Sequence, residues 1–332
     1  MSTSDSSTAR LAFLKSIETN LYRIGGPLLI IFGTIGCLIT LFIFKEKNLR
    51  KHPCTIYFLA FNCSNFALIY SSLLAVMLEL GFNINPSAYS LVCCRLRLYT
   101  LLLFDCLSSF YLILISMDRM LVTSINATTR RRSSRTFAYK CVIIGTIFWV
   151  LFNSHALFLT ERIRISATAF TCYFRPGSYV TFIAFYSLTK SILMPLCMIT
   201  FGIQTIRNIR SIRRINILHT ITASTNTNTF AILSSRDSKL IRTVWIHICI
   251  YVVFSLTMTS FLLYDQFTQY RIKDNVQKQA DLLWRYVGTF GIYMRYCLCG
   301  YVNLLVSDTV RQRIRNCFFW KPIIIQPMSL TR

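Results

Sequence analysis

Acidic residues are scarce in this chain. Asp and Glu number 12 against 36 Lys and Arg, which leaves a formal net charge of +24. Charge of either sign is thin: 14% of residues are charged and 54% are hydrophobic, with a mean hydropathy of +0.51. A soluble domain carries about 25% charged residues, so these 332 residues cannot cover a water-facing surface. With Gly at 11 and Pro at 7, collagen and low-complexity architectures are excluded. The four histidines, His52, His155, His219 and His247, fall in different segments, which weighs against a metal centre built on clustered imidazoles. No Gly-rich phosphate loop occurs, and no Ser/His/Asp set can be assembled. Neither an enzyme nor a bound cofactor is expected.

What the chain has instead is long apolar runs. Crossing the hydrocarbon core takes about 20 mostly apolar residues, and seven such runs are read at 24–44, 54–80, 95–122, 138–160, 178–206, 240–266 and 283–306. The first is too long and too far from Met1 for a cleaved signal peptide, and is read as an uncleaved first helix. The basic residues lie mostly between the runs. Segments 45–52, 119–140, 207–242 and 307–332 hold 22 of the 36 Lys and Arg, and the opposite set holds 12. By the positive-inside rule the amino end is outside and the carboxyl end inside. The surplus charge therefore points to the inner surface of a bilayer rather than to nucleic acid.

The fold class expected is an all-α membrane protein. It comprises an extracellular N-terminal segment (1–23), a seven-transmembrane helix bundle (24–306), and a tail (307–332) that opens with a short amphipathic eighth helix. The longest polar linker, around His219 to Thr229, is rich in Thr, Ser and Asn and is expected to be mobile. Two glycosylation patterns occur, at Asn62 and Asn126, one inside a span and one on the inner side, so neither is expected to be used.

At the inner end of the third run stands Ser116-Met117-Asp118-Arg119-Met120, and Cys94 lies 25 residues before Arg119. A further cysteine, Cys172, falls between the fourth and fifth runs; Trp149 stands alone in the fourth and Pro195 interrupts the fifth. This combination resembles the rhodopsin-like family of G-protein-coupled receptors. The texture of Lys47-Asn48-Leu49-Arg50-Lys51-His52-Pro53-Cys54 is similar to invertebrate orphan receptors related to the FMRFamide-peptide group. The sequence also departs from the family pattern. Cys37 replaces the first-helix asparagine, Asn65 the second-helix aspartate, and Met120 the motif tyrosine. Ser255 and Thr257 occupy sixth-helix landmark positions, and Cys299-Gly300-Tyr301-Val302-Asn303 stands where Asn-Pro-x-x-Tyr is usual.

The resemblance implies a plasma-membrane receptor for an extracellular peptide, with a heterotrimeric G protein as its inner partner. It implies a disulfide between Cys94 and Cys172, with Cys93 as the competing residue. Asp118, Arg119, Asp237 and Pro195 would serve activation, and Cys317 would carry a lipid. Ligand contacts would come from Leu101, Asp105, Tyr173, Phe174, Arg175 and Asp265. A photoreceptor is disfavoured, since the seventh run has no lysine and Tyr293 holds the corresponding place. An amine receptor is disfavoured because Leu101 sits where that group keeps an aspartate.

A transporter or channel is the rival class. Such a protein needs charge within the bilayer, and Asp105, Lys190 and Arg295 lie within runs. An unpaired charge at the bilayer centre costs at least about 2.5–3.5 kcal/mol. Asp105 and Arg295 are therefore expected to pair across the core, with Asn65 hydrogen-bonded nearby and no sodium ion needed. The alternative leaves Asp105 facing a ligand cavity while Arg295 reaches other polar groups.

Overall fold

The computed structural model describes residues 2–44, 52–164, 170–175, 177–222, 228–268 and 271–306. Nearly all are helical. Helix α1 (Ser2–Asn20) runs through one wide turn into α2 (Gly26–Phe44), and α3 (Pro53–Leu68) runs through another into α4 (Leu74–Phe82). A short α5 (Pro86–Tyr89) leads into α6 (Leu91–Val122), then α7 (Ala127–Arg132), α8 (Arg135–Asn153) and α9 (His155–Phe158). Strands β1 (Thr160–Arg164) and β2 (Phe170–Phe174) pair antiparallel, and α10 (Ser178–Thr222), α11 (Asn228–Thr268) and α12 (Asn275–Val306) complete the order.

Local chemistry marks several boundaries. Pro53 opens α3, where its missing N–H is not needed. Ser90 and Ser134 cap α6 and α8 by accepting from the amides of Cys93 and Phe137. Asn83 ends α4 in the left-handed region at φ 58°. Asn126 caps α7 through the Thr128 amide, so the side chain of one glycosylation pattern is spent on a local bond.

Six of the described helical segments are long and apolar enough to cross a membrane. They are Ser7–Phe42, Pro53–Phe82, Leu91–Val122, Arg135–Phe158, Ser178–Ile212 and Ile241–Thr268. Large apolar side chains such as Phe42, Ile144, Leu151 and Leu193 are exposed on them, as expected of faces that meet lipid. The seventh run lies in α12, which is long enough but more polar than these six. The eighth helix expected after Val306 lies outside the described residues.

The bundle is organised around α6, which packs against α3, α8, α10 and α11, while α12 packs against α2 and α11. The α2–α12 contact is set by glycine. A Cβ at Gly300 would lie 2.5 Å from the Gly36 carbonyl carbon, and Thr40 Oγ1 donates to the carbonyls of both glycines at 2.8 and 3.2 Å. Small residues let the two backbones meet. One apolar cluster joins Phe58, Phe61, Tyr111, Ile115, Met198 and Ile248; another joins Leu68, Ile69, Tyr293 and Tyr296.

Three boundaries differ from the sequence reading. The segment 1–23 is helical from Ser2, and α12 begins eight residues before the expected span. The linker read as mobile is helical on both flanks, to Thr222 and again from Asn228. In each case polar residues continue a helix beyond its apolar run, where hydropathy gives no signal. The hairpin β1–β2 is the one departure from an all-α architecture among the described residues.

Candidate functional site

A cavity of about 600 Å³ lies between α6, α10, α11 and α12 at the Cys94 end of the bundle. This size falls within the usual range for small-ligand pockets, about 300–1,000 Å³. The β-hairpin lies along its mouth. Cys94 and Cys172 form a disulfide with Cα atoms 5.4 Å apart, and Cys93 is exposed and free. Cys93 and Cys94 differ by one step of the helix, so only one faces the hairpin. Arg95 donates to the Thr160 carbonyl at 3.3 Å, and Arg162 donates to the Tyr89 carbonyl at 2.9 Å, which ties the hairpin down further.

Leu101, Asp105, Tyr173, Phe174 and Asp265 all line the cavity. Arg175 does not: its side chain is 60% exposed, 3.6 Å from Glu161. It stands just past the end of β2, where the chain leaves the hairpin, and nothing turns it inward.

The rim carries charges that largely cancel. Arg97 pairs with Glu79 at 2.6 Å, and Lys273 pairs with Asp281 at 2.6 Å. The hydrogen bond to Asp281 holds the Lys273 amine above its ordinary value. Arg285 lies 5.1 Å from the Tyr173 ring centroid, a cation–π contact that joins α12 to the hairpin.

At the base of the cavity, two cations share one carboxylate. Arg295 Nη2 lies 2.9 Å from Asp105 Oδ1, and Lys190 donates to Oδ2. Tyr296 also donates to Oδ1 and accepts from Arg295. The guanidinium is stacked between Tyr251 and Tyr296, at 4.3 and 4.4 Å from their centroids, and reaches Ser255 Oγ at 3.4 Å. Each contact lowers the cost of keeping charge away from water. Both expected roles of Asp105 hold together here, since it binds Arg295 and also faces the cavity.

Asn65 stands apart from this group. Its Oδ1 accepts from Ser108 at 2.6 Å, a turn of α6 away from Asp105, and among the described residues it makes no bond to the ion cluster. It does not line the cavity. Helix spacing places Asn65 near the core but cannot place it at the level of the pair. Lys190, Tyr251 and Tyr296 are the members missing from the sequence reading of this pocket. A lysine inside an apolar run was the one available sign, and it was read only as part of a transport path.

A second ion pair lies at the other end of α6. Arg119 donates to Asp118 Oδ2 at 2.5 Å, and Ser133 donates to Oδ1 at 2.6 Å. Asp118 is therefore tied to the segment between α7 and α8. Asn208 of α10 donates to the Met120 carbonyl at 3.2 Å, which joins α10 to the same end. Pro195 is buried within α10, where it leaves a backbone carbonyl without its helical donor. The side chain of Asp237 lies outside the described residues, as does Cys317. No protein-family model matches this chain, and no curated protein matches it in sequence.

Proposed function

We propose that this chain is a rhodopsin-like G-protein-coupled receptor of the plasma membrane. In this reading α12 supplies the seventh membrane span, residues after Val306 form an amphipathic eighth helix, and the amino end lies outside. The ligand is a peptide that enters at the hairpin end, and a heterotrimeric G protein binds at the Arg119 end. The polarity of α12 is compatible with a span, because Tyr293, Arg295 and Tyr296 are all buried inside the bundle.

The observation that carries the proposal is that one helix, α6, builds both sites. Its first half supplies the disulfide and the cavity wall, and its last turns supply Asp118 and Arg119. A shift of this helix or its neighbours would couple ligand binding to the far end, the relation a receptor needs.

A transporter would need an open path below the charge cluster. The cavity lining reaches no deeper than Leu68, Asp105, Ser191, Tyr251 and Tyr296, and beneath it Phe61, Tyr111, Ile115, Met198 and Ile248 are buried, with the polar Asn65, Ser108 and His247 among them. A cavity closed at this level favours a receptor over a conduit.

The test is a peptide-library screen in transfected cells with calcium and cyclic-AMP readouts. Hits are then assayed for nucleotide exchange with purified G proteins. The expected result is ligand-dependent exchange that Arg119→Ala abolishes while ligand binding persists. Solute flux through reconstituted protein, with no exchange on any G-protein class, would replace this reading with the rival one.

A further inference from the structure

The charges at the base of the cavity do not balance. Among the described residues Asp105 is the one acidic side chain in contact with Lys190 and Arg295, so one positive charge is left over at the base of the cavity. The rim pairs Arg97–Glu79 and Lys273–Asp281 cancel themselves and lie nearer the mouth. The donors are unevenly spent as well. Arg295 is committed to Asp105, Tyr296 and Ser255 and is stacked between two rings. Lys190 has three N–H donors, and among the described residues its partner is Asp105 alone. Lys190 lines the cavity while its side chain is only 9% exposed.

We propose that the base of this cavity binds a carboxylate, presented by a ligand whose body is apolar. The reading rests on the proposed receptor function for the side from which the ligand enters. The incoming carboxylate accepts from Lys190, Arg295 keeps Asp105, and two cations then face two anions. A monoanion closes this balance, a phosphate dianion exceeds it, and an amidated peptide terminus brings no charge. The walls above the cluster fit the apolar part, since Leu98, Leu102, Ile183, Met258 and Phe261 line them. A free peptide C-terminus and an alkyl carboxylic acid share this chemistry.

The test uses the full chain in nanodiscs of zwitterionic lipid. Two probe series are titrated: straight-chain carboxylates from hexanoate to palmitate, and tripeptides ending in Leu or Phe as free acids. Each acid is compared with its own primary amide by equilibrium binding and by thermal stabilisation. The acids of at least one series are expected to bind about 10- to 100-fold more tightly than their amides, the range for a hydrogen bond to a charged group. Lys190→Gln should abolish that preference, and it leaves the Asp105–Arg295 pair balanced, so the fold is kept. The responding series identifies the source of the carboxylate.

Equal binding of acid and amide overturns the proposal, as does an acid preference that survives in Lys190→Gln, or no binding by any acid. Acid binding by a chain on which no ligand drives nucleotide exchange would remove the receptor reading and leave this site standing. Exchange driven only by uncharged ligands would do the reverse.

Discussion

Helix α6 carries two carboxylates thirteen residues apart, the partly exposed Asp105 and the buried Asp118, each bound to an arginine. The two pairs are built differently. Asp118 meets the Arg119 cation and the Ser133 hydroxyl, so among the described residues this ion pair is neutral. Asp105 meets two cations and a phenol, so its site does not balance. The Asp118 pair joins neighbours in sequence and is closed by a loop residue. The Asp105 cluster joins α6, α10 and α12, and opens onto a cavity. The balanced pair has the build of a latch within the chain. The unbalanced cluster has the build of a receptor for an outside anion, which ties the ligand to three helices at once.

The sharpest way to break this comparison is to remove each carboxylate in turn. Asp105→Ala leaves two buried cations with no counter-ion, and breaking a buried pair costs about 3–5 kcal/mol. Surface expression and thermal unfolding should show loss of the folded protein. Arg295→Gln is expected to be milder, because Lys190 still holds Asp105. For the same reason, the double change Asp105→Asn with Arg295→Gln should recover little unless Lys190 is neutralised too.

Next in size is the disulfide. Cys172→Ser should remove about 2–5 kcal/mol and free the hairpin from the cavity mouth, read as lost surface expression or lost ligand response. Cys93→Ser should leave both intact.

Smaller effects are expected at the balanced pair. Ser133→Ala removes one hydrogen bond to Asp118, worth about 1.5–3 kcal/mol to a charged group. It should raise ligand-independent nucleotide exchange at matched surface level, because Arg119 then loses part of its restraint. Unchanged basal exchange would mean that the Asp118 site is only structural.

The smallest effect belongs to Arg175. Its pair with Glu161 is exposed, and such pairs are worth about 0–1 kcal/mol. Arg175→Ala should leave stability and ligand potency nearly unchanged.

The two carboxylate sites also show what a sequence can reveal about this fold. Asp118 and Arg119 are adjacent, so their pairing is local and readable. The pairing of Asp105 with Arg295 was one of two readings that cost allowed, because neither charge could stay without polar partners in the bilayer. The third member was not readable. Helical spacing places Lys190 inside a span, but the rotation of α10 about its axis decides whether it reaches α6. The same limit bears on Asn65, which was expected to be hydrogen-bonded near the pair and bonds Ser108, one turn of α6 from Asp105. Hydropathy located the apolar runs and missed the helix ends. The first turns of α12 carry Lys278, Asp281 and Arg285, which line the cavity mouth. Residues that face water in a cavity look like a loop to a hydropathy count. Gly300 was read as a departure from a family motif, whereas its role is the close contact with Gly36.

The most direct test of the unbalanced cluster is the unfolding temperature of Lys190→Gln, measured without ligand beside Asp105→Asn in the same nanodiscs. Removing the surplus cation relieves repulsion with Arg295, and the glutamine amide can still donate to Asp105. Lys190→Gln is therefore predicted to unfold at or above the temperature of the unmodified chain, while Asp105→Asn unfolds well below it. Equal destabilisation by the two substitutions would contradict the account, because Lys190 would then be a required partner of Asp105 rather than a charge held for a ligand.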